Sequence, residues 1–334
     1  MTAAATMEEL LARCAMSWCP GAIGVHAAVR LSGGASQETW SFDIAHPDGV
    51  VGAILRRAPA GHGAASGRAC GLVTEAALIR RAHATGVPAP VVLHVLTDAD
   101  ELGIGFIMQR IDGETIPRKI LRDDAFAQVR PKLARQCGGI LAGIHGIGLS
   151  GLPDLRAMTA AREIDELTRD VRAFEWPRPV FELALRWLRD HDPGPSQRVT
   201  LVHGDFRHGN LMIGPDGVRA VLDWELAHTG DPMEDLGWIC VNSWRFGAID
   251  QPVGGFGARE DLFAGYEAAG GVTVDPARVK FWEVMGTLRW GVMCCGMMQR
   301  FREGPEHSVE RAMIGRRSSE TEIDLLRLLA PRGS

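Results

Sequence analysis

The chain has 334 residues, a formal net charge of −5, 46% apolar residues and 23% charged residues. That length exceeds what one small core needs and suits two lobes, while the mixed charge fits a globular protein and argues against a general nucleic-acid binder, which would carry a basic face. Seven cysteines without a C-x-x-C pair predict buried free thiols, and a start that holds Glu8 and Glu9 shows no signal peptide, so the expected location is the cytoplasm.

In chain order, the first predicted element is a short amphipathic helix over residues 7–18. Val25–Leu31, Thr39–Ile44 and Val50–Arg56 then read as strands, rich in β-branched and aromatic residues and separated by Gly-Gly and Pro-Asp-Gly signals. A small-residue loop, Ala58–Gly71, precedes a helix over Leu72–Ala84 that Gly86-Val-Pro-Ala-Pro stops. Val91–Leu96 and Gly105–Arg110 complete five strands with one inserted helix. After Asp112-Gly113, helical spacing dominates, over roughly 123–147, 160–174, 179–190, 234–245, 258–269, 276–301 and 308–329. The exception is Val199–Trp224, two or three short strands with Pro215-Asp216-Gly217 as a hairpin turn. The longest apolar helix candidate, Val284–Met298, is interrupted by Arg289 and is too short to span a bilayer, so no membrane partner is expected.

The chemistry is concentrated in His203-Gly-Asp205-Phe-Arg-His-Gly-Asn210 and Leu222-Asp223-Trp224. Phosphoryl transfer needs a carboxylate for the attacking hydroxyl, oxygen ligands for magnesium and donors for the phosphates. Asp205 and Asn210 stand five residues apart, the base-to-ligand spacing of a kinase catalytic loop, and Asp223 follows Asn210 by thirteen, at the end of the apolar strand Ala220-Val-Leu222. Asp205 is therefore the candidate base, Asn210 and Asp223 are candidate Mg2+ ligands, and His203 is the catalytic-loop histidine that orients the loop. A rival reading, with His203, Asp205 and His208 as a hydrolase metal cluster, leaves Asn210 and Asp223 unexplained. On the nucleotide side, Ser32-Gly33-Gly34-Ala35-Ser36 lies between two strand candidates, where glycine backbone and the hydroxyls of Ser32 and Ser36 suit ATP phosphates. Gly146-Ile-Gly148-Leu-Ser-Gly151 matches a dinucleotide pattern but follows a helix, so that reading is rejected.

These motifs resemble those of the aminoglycoside phosphotransferase and choline kinase superfamily. The continuation Glu225-Leu-Ala-His-Thr-Gly-Asp231-Pro-Met-Glu-Asp235-Leu-Gly is most similar to the branch whose kinase-like domain is fused to acyl-CoA dehydrogenases in some eukaryotes. The resemblance implies an α+β, protein-kinase-like two-lobe fold. Its N-terminal lobe, residues 1–110, would hold a five-stranded antiparallel sheet, and its larger, mostly helical lobe, 111–334, the catalytic loop and substrate pocket. It implies ATP and Mg2+ as cofactors, Arg56 in the place of the usual third-strand lysine with Glu75 as its partner, Met108 and Gln109 at the adenine-facing hinge, and Asp235 as a buttress of the catalytic loop. The chain has lysine only at positions 119, 132 and 280, so Arg56 has no lysine substitute nearby. That exchange leaves a nucleotide-binding pseudoenzyme as a second reading.

The acceptor is less legible. Trp238, Trp244, Trp282 and Trp290 sit at helical positions, and Tyr266 is the sole tyrosine, a poor supply for a cation cage. Arg289, inside an apolar helix, requires either an internal carboxylate or an anionic substrate. The expected activity is transfer of the ATP γ-phosphate to a hydroxyl of a small molecule, with a hydroxy acid or hydroxyacyl-CoA ahead of an aminoglycoside or choline-type acceptor.

Overall fold

The structure, a computed structural model, describes residues 5–31, 37–58, 67–304 and 308–330. Helix α1 (Met7–Trp18) starts at a capping box, in which the Thr6 hydroxyl accepts from the Glu9 amide and the Glu9 carboxylate accepts from the Thr6 amide. Strands β1 (Gly24–Leu31), β2 (Glu38–His46), β3 (Gly49–Arg57), β4 (Val92–Val95) and β5 (Gly105–Gln109) form an antiparallel sheet in the order β1-β2-β3-β5-β4. Helix α2 (Leu72–Ala84) is inserted between β3 and β4.

The pleat of this sheet divides two cores. Phe42, Ile44, Ala53, Leu55 and Ile107 pack with Leu11, Cys14 and Ala15 of α1, while Phe106 and Met108, on the other face of β5, join the core that runs through the helical lobe. Arg56 pairs in register with Phe106, so its side chain is on the face toward the helical lobe. Arg57 points the other way and binds Glu38. Asp100 ties α1 to the sheet's far end. One of its carboxylate oxygens accepts from the Thr97 amide (2.7 Å), the Thr97 hydroxyl (2.9 Å) and His94 Nε2 (2.9 Å). Buried beside it, the Cys14 thiol is pushed up to about 12, by burial first and then by Asp100.

The second lobe contains α3 (Pro117–Arg122), α4 (Leu133–His145), α5 (Ala160–Arg172), α6 (Pro179–Asp190), α7 (Met233–Trp238), α8 (Arg259–Ala268), α9 (Pro276–Glu303), α10 (Val309–Gly315) and α11 (Ser318–Leu329). Two small antiparallel pairs lie among them: β6 (Thr200–Val202) with β9 (His228–Gly230), and β7 (Leu211–Gly214) with β8 (Gly217–Val221). Several expectations are corrected, among them the helix read over 234–245, which as α7 ends at Trp238. The helix read from residue 123 begins at Leu133, because Pro131 interrupts the amide ladder just before it. The final helix is two, divided at Arg316-Arg317, where Gly315 packs against Met298. The strand β9 was not expected at all. No helix among the described residues is long and apolar enough to cross a membrane.

Candidate functional site

The catalytic-loop motif lies between β6 and β7, clamped from below by α7. Asp235, fully buried, accepts from the amides of His203 (2.8 Å) and Gly204 (2.9 Å), and His145 Nε2 lies 3.1 Å from the same carboxylate. Burial works to raise the Asp235 carboxyl, but His145 and, after it, His203 hold the group below the usual carboxylate range. The turn itself demands glycine. Gly204 has φ +79°, and a Cβ there would sit 2.4 Å from the Leu226 carbonyl oxygen.

From this turn Asp205 projects. Its Oδ2 accepts from Asn210 Nδ2 at 2.6 Å, its Oδ1 accepts from Trp238 Nε1 at 2.8 Å, and Arg207 Nε donates to both oxygens at 3.1 and 3.2 Å. Asn210 is joined in turn to the end of β8, where the Leu222 amide donates to the Asn210 carbonyl at 2.8 Å. Asp223 follows directly, in a left-handed conformation (φ +65°) that turns it out of the strand direction. Asp205 and Asn210 thus touch, and Asp223 is the next residue after the Leu222 amide that binds the Asn210 backbone.

Arg56 reaches this point from β3. Its guanidinium donates to Gln37 Oε1 (2.8 and 3.0 Å) and Asp223 Oδ1 (2.9 Å), and lies 3.1 Å from Glu75 Oε1. The Glu75 contact is an ion pair by distance without the alignment of a hydrogen bond, and Glu75 is fully buried. Burial pushes the Glu75 carboxyl up to about 7, against the pull of Arg56. Arg56 is itself raised above its ordinary value. Burial works to lower it, and Glu75 and Asp223 more than reverse that.

Other expected residues fall as follows. The His203 ring is fully buried, 4.7 Å from the Trp224 ring centroid, and its Nδ1 accepts from the Asp205 amide at 3.2 Å; burial depresses its basicity. His208 turns away, with Nδ1 2.6 Å from the Gly254 carbonyl, and His203, Asp205 and His208 do not bring three ligand atoms within 4.8 Å of one another. Met108 pairs on both sides within the sheet, and the amides of Gln109 and Arg110 are spent on Val91 O (2.8 Å) and Gly52 O (2.9 Å). Ser32, Gly33, Gly34 and Ser36 lie outside the described residues. Arg289 takes the internal alternative. It is buried, donating to Glu234 Oε1 (2.8 Å) and Gly204 O (3.1 Å). An anionic-substrate role for it is overturned by that pairing.

Sequence reasoning missed Gln37, Arg207 and the donor role of Trp238. A signal existed for Trp238, which lies three residues after Asp235 and therefore on the same face of α7.

Residues 27–281 match the phosphotransferase enzyme family over most of the chain. The chain belongs to that family. As a phosphotransferase it is similar to mouse (Mus musculus) acyl-CoA dehydrogenase family member 10, 31% identical over 199 residues, which cover 56% of this chain and 18% of the relative. It is also similar to the probable acyl-CoA dehydrogenase IBR3 of Arabidopsis thaliana, 26% identical over 311 residues, covering 84% of this chain and 37% of the relative. The phosphotransferase chain thus spans less than two fifths of those relatives. In fold it resembles a choline/ethanolamine kinase family protein from Mesorhizobium loti (TM-score 0.64, 22% identity, 96% of this chain and 95% of that one). It likewise resembles aminoglycoside phosphotransferase APH(4)-Ia in a ternary complex with AMP-PNP and hygromycin B (TM-score 0.64, 18% identity, 98% and 100%). The family makes the chain a phosphotransferase, and these structures share its fold.

Proposed function

We propose that this phosphotransferase moves the γ-phosphate of ATP to a hydroxyl of a small metabolite, with Asp205 as the base. The observation that carries the reading is the linked placement of Asp205, Asn210 and Asp223: Asn210 Nδ2 on Asp205 Oδ2 at 2.6 Å, and the Leu222 amide on Asn210 O at 2.8 Å. Asp205 accepts a hydrogen bond from the acceptor hydroxyl and takes its proton as the oxygen attacks the γ-phosphorus. The bond from that phosphorus to the β–γ bridging oxygen breaks, and ADP leaves. His203 acts through the Asp205 backbone and is a positioning residue.

The site fits Mg2+. Asn210 turns its amide nitrogen to Asp205, which leaves the carbonyl oxygen as a hard ligand, and Asp223 supplies a carboxylate oxygen close by. When bound, the ion neutralises charge on the phosphate oxygens. Arg56, fixed by Glu75 and Gln37 and touching Asp223, sets a permanent positive charge beside this ligand pair, the task of the usual lysine. Ser32, Gly33, Gly34 and Ser36 are assigned to the phosphates by their sequence alone. Met108 and Gln109 line the adenine edge through carbonyls and side chains, their sheet having used the Gln109 amide.

For the acceptor, a hydroxy acid or its CoA thioester ranks first. The curated relatives are named acyl-CoA dehydrogenases, and a segment joined to such an enzyme meets acyl-CoA compounds. A choline-type acceptor fits less well, because the indoles near Asp205 already carry the protein's own cations: Arg289 lies 4.1 Å from the Trp238 ring and Arg207 4.8 Å from Trp244. The test is ADP release from Mg-ATP across hydroxyacyl-CoA esters, free hydroxy acids and aminoglycosides. Turnover should appear with the first two classes, and Asp205→Asn should lower it by about 100-fold or more. Turnover on aminoglycosides alone would overturn the acceptor class. A fully active Asp205→Asn would overturn the base, and thermal stabilisation by Mg-ATP without turnover on anything would favour a pseudoenzyme.

A further inference from the structure

Asp205 has, among the described residues, three side-chain partners, and two of them belong to its own loop. Arg207 is partly exposed, and Asn210 is assigned to the metal. The third, Trp238, comes from α7 and is 2% exposed. Its indole is held on every side. Gly286 of α9 leaves the gap it occupies, for a Cβ there would lie 2.8 Å from Trp238 Cε3 and 3.1 Å from Val241 Cγ2. The Trp244 ring stands 5.2 Å from it, and the Arg289 guanidinium lies 4.1 Å over its face. Arg289 is locked in turn by Glu234 at 2.8 Å and by the carbonyl of Gly204, the residue before Asp205, at 3.1 Å.

We infer that Trp238 is the positioning residue of the base: its N–H holds Asp205 Oδ1 and so fixes the Oδ2 edge toward the acceptor hydroxyl. This rests on the kinase reading given above. Asn210 and Arg207 hold this carboxylate from within the loop and move with it, whereas a donor fixed by packing outside the loop sets its orientation without reorganising during the reaction. The cation over the ring withdraws density from the indole and strengthens the N–H as a donor, which gives the buried Arg289 a purpose beyond its ion pair. The same bracket joins Gly204 and Asp205 to one α7–α9 unit, so loop backbone and base side chain are set by a common frame.

The test replaces Trp238 by benzothienylalanine, which keeps the ring shape and loses the N–H, with Trp238→Phe as a second variant. The probe reaction is ADP release from Mg-ATP with water as acceptor, beside Asp205→Asn as a control. The isostere should lower kcat about tenfold or more with KM for Mg-ATP and the melting temperature unchanged. The indole proton of Trp238, assigned through Trp238→Phe, should move upfield in Asp205→Ala. An isostere with wild-type kcat, while Asp205→Asn is slow, overturns the positioning role and leaves the kinase reading standing. An unmoved indole proton overturns the bond itself. If wild type and Asp205→Asn release ADP equally, Asp205 is not the base and the role of Trp238 falls with it.

Discussion

Arg56 meets its partners through different edges of one planar group: Nε and Nη2 on Gln37, Nη2 on Asp223 and Nη1 beside Glu75. A lysine ammonium offers its three donors from a single point and lacks the planar fork that spans these partners. The arginine is therefore built into this cluster, with Gln37 as its accessory. Arg56→Lys should reduce kcat/KM for Mg-ATP about tenfold despite keeping the charge; a wild-type value in the ADP-release assay would show that the fork is dispensable. Glu75 gives the same cluster a pH signature. Its carboxyl is held at about 7 in the fold against an ordinary value of 4.5, so between those values the native state binds more protons than the unfolded chain. Stability then falls as pH rises through this window, because the proton is retained only in the fold. Urea midpoints at pH 5 and pH 8 should show the fall in wild type and lose most of it in Glu75→Gln. An unchanged slope would assign the titration elsewhere.

At the scale of elements, the tie between α1 and the far end of the sheet runs through Asp100. Burial works to raise its carboxyl, but the Thr97 amide, His94, the Cys14 thiol and the Thr97 hydroxyl hold it at about 2, below the ordinary 3.8. That depression corresponds to about 2 kcal/mol, present above pH 3.8 and lost as pH falls through the folded value of about 2. Asp100→Asn should cost about that much in urea unfolding at pH 7, and the gap to wild type should narrow at pH 3; a constant gap would mean the loss is one of packing and not of charge. The elements themselves were legible where pattern is long. The first three strands are rich in β-branched and aromatic residues between turn signals, and the Leu72–Ala84 helix is bounded by glycine before and after it. Legibility failed where tertiary contacts decide. Strand β9 has three residues, too few for any period, and exists by pairing with β6. The break between α10 and α11 reflects the close approach of Gly315 to α9, though glycine was its one local mark. In the candidate site, Asp205, Asn210 and Asp223 could be singled out because they are close in sequence with chemistry-bearing spacing. Gln37 and Arg207 could not, since their meaning appears only when folding brings them to Arg56 and Asp205, and for Trp238 the spacing from Asp235 marked a shared helix face but not the bond to Asp205.

For the whole molecule, the two lobes are coupled beside the candidate ligands of the metal. Arg56 binds Asp223 at 2.9 Å, Gln37 Nε2 donates to Glu225 Oε2 at 3.0 Å, the Cys70 amide donates to Glu225 O at 2.7 Å, and the Val221 amide donates to Pro88 O at 2.8 Å. One continuous core also runs from α2 and β5 into the helical lobe. A ligand that bridges the lobes at this seam stabilises both at once. Saturating Mg-ATP, at about 100 times its Kd, adds about 2.7 kcal/mol by mass action, enough for a rise of several degrees in melting temperature at this chain length. ATP with a chelator should give a smaller rise, because the phosphates then meet Asp223 without an ion between them and the two repel. Asp223→Asn removes a charged ligand and that repulsion together, so its shifts with and without the metal should be nearly equal. A wild type that gains as much from ATP plus chelator as from Mg-ATP would remove Asn210 and Asp223 from the metal and would leave Arg56 as the principal charge that the nucleotide meets.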